Sequence, residues 1–195
     1  MNKYFQKIIG LLFAGLFSGY SLADWQLTPA DSVINFISVK KEHLVENHSF
    51  NHFSATITDK GQVTLSIDLT SVDTKIGIRD QRMKDYLFNT KVFPKATFKT
   101  QLNTKSLASL VNGASENMDV TGEVDLHGHK QTVTLKVLVT KLSTEKLLVV
   151  NKEPLIINAE DFELIAGINK LQSLANLPSI THRVPVNFIL TFTHL

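Results

Sequence analysis

The histidines of this sequence could form a metal site, because imidazole is a common ligand of zinc. Three histidines, His43, His48 and His52, fall within the polar segment 41–52. Their spacing matches no standard metal-binding motif. We therefore expect this segment to be a solvated loop and to bind no metal, and whether it binds anything else is left open.

A second pair of histidines flanks a glycine at 127–129. His127 and His129 would lie on one face of a continuous strand, where two imidazoles can chelate a metal. Gly128 between them is typical of a tight turn between two strands. The sequence thus predicts a hairpin at this point, with no metal and no other cofactor.

Covalent and acid–base catalysis find little support in the sequence. The chain has no cysteine, no Gly-x-Ser-x-Gly nucleophile motif and no phosphate-binding glycine loop. Acidic residues such as Asp68 and Asp125 alternate with apolar residues, which places them on the solvent face of strands. We therefore predict that the protein is not an enzyme.

One charged dipeptide, Arg79-Asp80, could contact an anionic headgroup. The same two residues could instead form a local ion pair at the start of a helix that orients residues 80–88. The second interpretation is favoured, because Asp near the first turn of a helix is stabilised by the helix dipole.

The charge balance argues against a nucleic-acid-binding protein. The chain contains 20 lysines and arginines against 18 aspartates and glutamates, with a formal net charge of +2. Two of the lysines lie within the first 23 residues, so the remaining chain has equal numbers of basic and acidic residues. Nucleic-acid binding would need a clustered basic excess.

The N-terminal segment is typical of a secretory signal peptide. Lys3 and Lys7 form a positive n-region, and residues 8–17 form an apolar stretch. Ser21-Leu22-Ala23 then supplies the small-x-small pattern of a cleavage site. The apolar stretch is shorter than the roughly 20 residues of a membrane span. We predict a signal peptide over residues 1–23, cleaved near Ala23.

The mature chain is then predicted to be a periplasmic protein that does not span the membrane. Its residues 24–195 contain no internal repeat, no low-complexity tract and no evident linker. One domain is the simplest interpretation. With no cysteine available for disulfides, packing alone must stabilise it.

Strand-type alternation of apolar and polar residues dominates the mature chain. It is clearest at 63–69, 118–126, 133–139 and 184–192. Weaker strand patterns occur at 33–39, 55–59, 96–103 and 146–158. Turns are predicted at 59–61 and 127–129. Alternation of this kind is typical of antiparallel sheets with one buried face.

Two segments favour short helices. Residues 79–88 place Met83 and Leu87 four positions apart, and residues 169–176 form a second candidate that ends before Pro178. The predicted fold class is therefore all-β, an eight-stranded antiparallel β-barrel with one or two short helices.

An eight-stranded barrel is about the smallest that can hold one ligand inside. The predicted inner faces are almost entirely apolar, which excludes recognition of a sugar or nucleotide within the barrel. Periodicity alone leaves two alternatives equally open, a cavity for an apolar ligand and a solid core.

Short motifs then follow one another in a fixed order along the mature chain. They are Trp25, SVINF at 32–36, Phe50-x-x-Phe53-Ser54, Val72-Asp73-Thr74, Arg79-Asp80, Phe93-Pro94-x-Ala96-Thr97-Phe98, VTGEV at 120–124 and DFEL at 161–164. In this order they resemble the YceI-like family of periplasmic polyisoprenoid-binding proteins. The resemblance implies a lipocalin-like barrel whose elongated apolar pore takes up an isoprenoid chain or a similar amphiphile.

The chain departs from the family pattern at the opening and at the end of one strand, and the polar segment 41–52 that follows lies near the pore mouth that the resemblance implies. Asp31-Ser32 stands where the family usually has His-Ser, and Lys40-Lys41 stands where a Lys-His pair is common. The resemblance therefore leaves the identity of the lipid headgroup open.

The leading hypothesis is a carrier for a long-chain isoprenoid or similar lipid held inside the barrel. The alternatives are a solid-core module that binds a protein or glycan through its loops, and a hydrolase or isomerase acting on an amphiphile. A homodimer is a further candidate assembly. Phe50, Phe88 and Phe93 are large apolar residues expected near the interior. The predicted lining residues are Phe36, Phe53, Leu65, Ile67, Met83, Leu87, Phe98, Val120, Val124, Leu135 and Phe188.

Overall fold

The computed structural model describes residues 23–195. The predicted signal peptide therefore lies outside the described residues, except for Ala23, with which the first strand begins. Within the described range, no helix is both long enough and apolar enough to cross a membrane.

Twelve strands, all paired antiparallel, make up most of the described chain. They are β1 (Ala23–Leu27), β2 (Val33–Lys40), β3 (Leu44–Phe50), β4 (Phe53–Thr58), β5 (Gln62–Asp68), β6 (Val72–Asp73), β7 (Lys95–Gln101), β8 (Ser115–Leu126), β9 (His129–Ser143), β10 (Lys146–Asn151), β11 (Leu155–Asn158) and β12 (Arg183–His194).

Three short helices interrupt the strands. They are α1 (Gly77–Arg82), which continues into a π-helical turn at Met83–Leu87, α2 (Thr104–Ser109) and α3 (Ile165–Leu174). The predicted helix at 79–88 corresponds to α1 and the π-helical turn. The second predicted helix begins at Ile165 instead of residue 169, and α2 was not predicted.

The sheet closes into a barrel because the first and last strands pair with each other. In β1 and β12, Trp25 lies opposite His194, and β1 also pairs with β4. Four positions around the barrel are each occupied by two consecutive strands, namely β1 with β2, β3 with β4, β5 with β6, and β10 with β11. The result is an eight-membered antiparallel ring, and the predicted fold class is confirmed.

The strand patterns predict which face is buried. In β8, Val120 and Val124 point inward, while Asp119, Thr121 and Glu123 are exposed. The β8–β9 hairpin turns at His127 and Gly128, whose φ angles of 55° and 79° are both positive. Two successive positive φ angles are typical of a type I′ turn, which favours glycine at the second position. The hairpin predicted from Gly128 is confirmed.

The solvated loop predicted at 41–52 is wrong. Residues Leu44–Phe50 form β3, which pairs with β2 over six positions, from Asn35 opposite Ser49 to Lys40 opposite Leu44. The sequence of β3 does not show an apolar–polar alternation, because Glu46 and His48, which face inward, are polar. The predicted strand at 146–158 is also divided, into β10 and β11.

Candidate functional site

Three neighbouring cavities lie in the part of the barrel that the structure describes, and together we call them the lumen. The central cavity has a volume of about 170 Å³, and its walls present only apolar surface. An apolar cavity of about 150 Å³ is large enough to bind a benzene-sized molecule and remains dry without one. The central cavity can therefore accommodate part of a hydrocarbon chain.

A smaller cavity of about 90 Å³ continues the lumen toward α2. Its walls are also apolar, and they include Leu107 of α2. It shares four wall residues with the central cavity, which places the two cavities side by side: Leu65, Phe98, Leu135 and Phe188.

The third cavity, of about 290 Å³, lies between α1, α3 and the end of the β2–β3 hairpin. It shares Phe36, Leu87, Ile168 and Val184 with the central cavity. Unlike the other two cavities, it has a polar wall. We call this wall the polar mouth and define it by Ser38, Lys40, Glu46, His48, Arg79 and Arg82.

All the lining residues predicted from the sequence, except Phe53, lie on the wall of one of these cavities. Val120 lines the smaller cavity and Met83 the cavity at the polar mouth, while the others line the central one. Phe53 packs against the hydrophobic core at the β1 end of the barrel and lines no cavity described here. That these residues contact a ligand stays a prediction.

Two of the further aromatic residues expected near the interior, Phe50 and Phe88, line the central cavity. Phe93 does not. Its ring centroid lies 4.6 Å from that of His127, so that Phe93 covers the β8–β9 turn. The physical reason is that Phe93 precedes β7 and is not part of the strand alternation that directs side chains inward.

Helix α3 packs closely on the π-helical turn and covers this part of the lumen. A Cβ atom on Gly167 would lie 2.6 Å from the carbonyl oxygen of Tyr86 and 2.8 Å from the Cα of Leu87. Such distances are shorter than van der Waals contact, so only glycine permits this approach. Ile168, the next residue in the helix, can thereby reach the wall of the central cavity.

Arg79 and Glu46 form the electrostatic centre of the polar mouth. Arg79 Nη1 donates to Glu46 Oε2 at 2.8 Å, and Lys40 Nζ lies 2.8 Å from the same oxygen. Burial alone would raise the pKa of Glu46, but hydrogen bonds from Lys40 and Arg79, together with their charges, hold it below its usual value.

The local ion pair predicted between Arg79 and Asp80 is wrong. Arg79 Nη2 donates to the carbonyl oxygen of Thr74 at 2.6 Å, in addition to its bond with Glu46. Asp80 instead accepts hydrogen bonds from the backbone nitrogen of Thr74, at 2.8 Å, and from the Thr74 hydroxyl. The two neighbours differ because the fold places Glu46, 33 residues away in the sequence, against the guanidinium, whereas the carboxylate of Asp80 is used by Thr74.

His48 is the most buried polar residue of the mouth, with only 4% of its surface exposed. Its Nε2 lies 2.8 Å from the Ser38 hydroxyl, and its ring centroid lies 5.1 Å from that of Phe36. Burial lowers the pKa of His48, and the positive charge of Arg79 lowers it further. The imidazole is therefore held in its neutral form.

The three histidines of segment 41–52 do not converge on one site. His48 is buried, whereas His43 and His52 are exposed. Over residues 23–195 no group of three or more histidine, cysteine or acidic side chains could hold a metal ion.

The contribution of Glu46 and His48 to the polar mouth was the part of the site that the sequence did not predict. The sequence signal that could have identified these residues is their spacing: Glu46 and His48 are two positions apart, which puts both on one face of a strand. This spacing is informative only when the segment 41–52 is assigned as a strand. The polar composition of the segment argued against that assignment.

Comparisons with known proteins agree with this geometry. A family model described as a YceI-like domain matches residues 25–192. A search of curated proteins finds no significant match. The chain resembles the structure of a polyisoprenoid binding domain from Saccharophagus degradans implicated in plant cell wall breakdown. Their identity is 37% and the TM-score 0.87, with 89% of this chain and 100% of that chain covered.

More distant structures share the fold. BcnA of Burkholderia cenocepacia has 21% identity and a TM-score of 0.67, covering 85% of this chain and 98% of that one. The YceI protein of Campylobacter jejuni has 17% identity and a TM-score of 0.58, covering 97% and 99%. The chain therefore belongs to the YceI-like family, which is a family of non-catalytic binding proteins.

Proposed function

We propose that the protein binds a long-chain isoprenoid or similar amphiphilic lipid in its lumen and carries it through the periplasm. The observation that carries this proposal is the arrangement of three adjoining cavities, of which two are apolar and the third ends at the polar mouth. An amphiphile has the same organisation, with a long apolar chain and one polar end.

Removal of the apolar chain from water supplies the driving force. Each 200 Å² of apolar surface buried contributes about 5 kcal/mol, at roughly 25 cal/mol per Å². A chain that extends through the lumen needs no charged contact to bind tightly. The similarity to a polyisoprenoid binding domain supports an isoprenoid as the first ligand to test.

The periplasmic location is part of the proposal and depends on the N-terminal sequence. The positive n-region, the apolar segment 8–17 and the Ser21-Leu22-Ala23 pattern support export and cleavage. Expression of the full chain in a Gram-negative host, followed by fractionation and N-terminal sequencing, should place a product that begins at Asp24 in the periplasm. A product retained in the cytoplasm with its N-terminus intact would contradict this location.

Native mass spectrometry of the purified protein, with solvent extraction of the bound material, tests the binding function. We expect a stoichiometric adduct that extraction identifies as a prenyl or other long-chain lipid. The same spectrum measures oligomeric state and so tests the predicted homodimer. A protein that remains free of ligand after incubation with isoprenoid lipids would contradict the proposal and favour the solid-core interaction module.

A matched pair of variants connects the adduct with the lumen. Ala96→Phe places a ring in the central cavity, whereas Lys99→Phe adds the same ring on the exposed face of the same strand. We expect Ala96→Phe to lose the adduct while it remains folded and Lys99→Phe to retain it. Equal retention by both variants would show that the lipid binds outside the central cavity.

A further inference from the structure

Among the wall residues of the lumen, three are exposed to solvent, and all three line the third cavity. They are Ile76, Ile78 and Ala175. Every wall residue of the central cavity and of the smaller cavity is buried or half-buried. The lumen therefore opens to the surface of the protein at the third cavity, between α1 and the C-terminal end of α3.

Large aliphatic side chains lie beside this opening. Ile76 and Ile78 are 47% and 62% exposed, and Leu44 and Val45, at the tip of the β2–β3 hairpin, are 40% and 65% exposed. Leu44 lies opposite Lys40 in the hairpin, and Lys40 lines the third cavity. We call the four aliphatic residues the apolar rim. Single exposed aliphatic residues are common on protein surfaces, but a group of them marks an interaction surface.

The isoleucines of the rim are left uncovered by the described part of the chain. Helix α1 contains no buried residue, and a Cβ atom on Gly77, between the two isoleucines, would meet nothing within 4 Å. Arg79 joins this helix to Glu46 of β3 at 2.8 Å. The isoleucines and the hairpin tip therefore belong to one connected surface.

The charges beside the rim nearly cancel. Segments 40–46 and 73–82 contain five basic and four acidic residues: Lys40, Lys41, Lys75, Arg79 and Arg82 against Glu42, Glu46, Asp73 and Asp80. Two of the acidic residues, Glu46 and Asp73, already form ion pairs with neighbouring basic residues. A partner that attaches here is therefore held by apolar contact, and a strongly charged partner does not fit.

The apolar surface is continuous from the lumen to the rim, because Ile76 and Ile78 belong to both. The long chain of an amphiphile is unfavourable in water, so a lipid bilayer is the environment that it leaves and enters. Exposed aliphatic side chains can insert at the boundary between the headgroups and the acyl chains of a bilayer. A bilayer seated on the rim would let the chain pass between bilayer and lumen without crossing water.

We propose that the apolar rim docks on the surface of a phospholipid bilayer, and that the amphiphile passes there directly between the bilayer and the lumen. This inference rests on the proposed lipid-carrier function and adds the partner from which the lipid is taken up and to which it is delivered. Because apolar contact drives the docking, anionic lipids are not required.

Flotation with vesicles of phosphatidylcholine and phosphatidylethanolamine, prepared with and without phosphatidylglycerol, measures docking of the purified protein. Two double variants remove the rim. Ile76→Ser with Ile78→Ser removes the isoleucines of α1. Leu44→Ser with Val45→Ser removes the hairpin tip, whose residues line none of the three cavities, and so separates docking from the wall of the lumen.

The matched control is Val111→Ser with Leu142→Ser. It removes two aliphatic side chains that are 69% and 47% exposed and that line none of the three cavities. Native mass spectrometry reports the lipid content and the oligomeric state of every variant. The rate of lipid transfer to acceptor vesicles is measured at increasing vesicle concentration.

We expect the wild type to bind both kinds of vesicle equally and independently of salt, and each rim variant to bind them about tenfold more weakly. The control should behave as wild type. Lipid transfer should accelerate with vesicle concentration in the wild type and the control, because it requires contact with the vesicle. In the rim variants transfer should be about tenfold slower, in proportion to the weaker docking.

The outcomes distinguish docking from the carrier function. Rim-dependent flotation of a protein that binds no lipid would support the docking surface and contradict the carrier function. Lipid binding together with equal flotation of all variants, or with a transfer rate independent of vesicle concentration, would overturn the docking surface alone.

Two further results would assign the rim to another mode of binding and so overturn the proposal. Flotation that needs phosphatidylglycerol and is lost in salt would show that charge holds the protein on the bilayer. Absence of flotation, with an oligomeric state that changes in the rim variants, would assign the rim to contact with a second copy of this chain.

Discussion

Arg79 Nη1 lies 2.8 Å from Oε2 of Glu46, and this contact joins α1 to β3 across the entrance of the lumen. The Arg79 and Glu46 side chains are 24% and 29% exposed, so that each is largely removed from water. The ion pair therefore connects the helix to the barrel wall at this point.

Neutralisation of Glu46 should destabilise the protein. Glu46→Gln leaves Lys40 and Arg79 without their shared counter-charge, and we expect a loss of about 1–2 kcal/mol in the free energy of unfolding. The matched control is Glu123→Gln, whose ion pair with Lys130 is more exposed and should contribute no more than about 0.5 kcal/mol. Urea denaturation of both variants measures the difference, and equal losses would contradict the role assigned to Glu46.

The buried histidine should make stability depend on pH. Burial lowers the pKa of His48, as do Arg79 and Lys40, while Glu46 and Asp80 oppose them. In the unfolded chain a histidine takes up a proton near pH 6.5. The unfolded state therefore binds more protons than the native state below this pH, and the native state loses stability as the pH falls from about 6.5.

Thermal unfolding of the wild type and of His48→Phe between pH 8 and pH 5 measures this effect. The wild-type Tm should decrease on acidification through this range, and the variant should show a smaller decrease. His52→Phe, at an exposed position, should follow the wild type. Glu46 does not contribute in this window, because its own pKa is lowered and its stabilisation is lost only below about pH 4.5. Parallel curves for the wild type and His48→Phe would be the contrary result.

A charge inside the lumen should abolish lipid retention. Val124 is 9% exposed and lines the central cavity, so that Val124→Asp buries a carboxylate with no partner. We expect a loss of about 3 kcal/mol or more and no lipid adduct in the folded fraction. Thr121→Asp introduces the same group on the outer face of β8 and should retain the adduct. A folded Val124→Asp protein with normal lipid content would remove Val124 from the binding surface.

The contact between α3 and the π-helical turn should be sensitive to a single methyl group. Gly167→Ala places a Cβ atom against Tyr86 and Leu87, and we expect a destabilisation of about 1–3 kcal/mol together with faster lipid release. Gly77→Ala is the control, because a Cβ atom there meets nothing within 4 Å. Urea denaturation and the rate of lipid transfer to acceptor vesicles measure both effects. Unchanged release from a destabilised Gly167→Ala protein would separate helix packing from ligand exchange.

The sequence predicts the barrel well because its walls follow a simple physical rule. Residues such as Val120 and Leu135 alternate with polar residues, and a strand with one buried face requires this alternation. The predicted lining residues on strands follow this rule, and all of them except Phe53 line cavities. Phe53 has the inward alternation but lies where the barrel is filled by core packing, which periodicity cannot detect.

The polar mouth could not be predicted by the same rule. Glu46 and His48 face inward, but they face a part of the cavity that also contains Arg79 from α1. Only the tertiary arrangement supplies the partners that make a partly buried carboxylate and a buried imidazole acceptable. The pairing of Arg79 with Glu46 instead of Asp80 is a long-range contact of the same kind, and local sequence spacing favours the wrong partner.

The ladder between β1 and β12 also has a consequence for the order of events during synthesis. Strand β12 is the last of the twelve described strands along the chain, and it pairs with β1, β2, β10 and β11. A nascent chain that lacks it has an unclosed sheet with free edges, which are prone to pair with other chains. Closure must also bring together Trp25 and His194 from opposite ends of the chain, a topology associated with slow folding. The interval between the appearance of β11 and the docking of β12 is therefore when a chaperone would protect this protein most effectively.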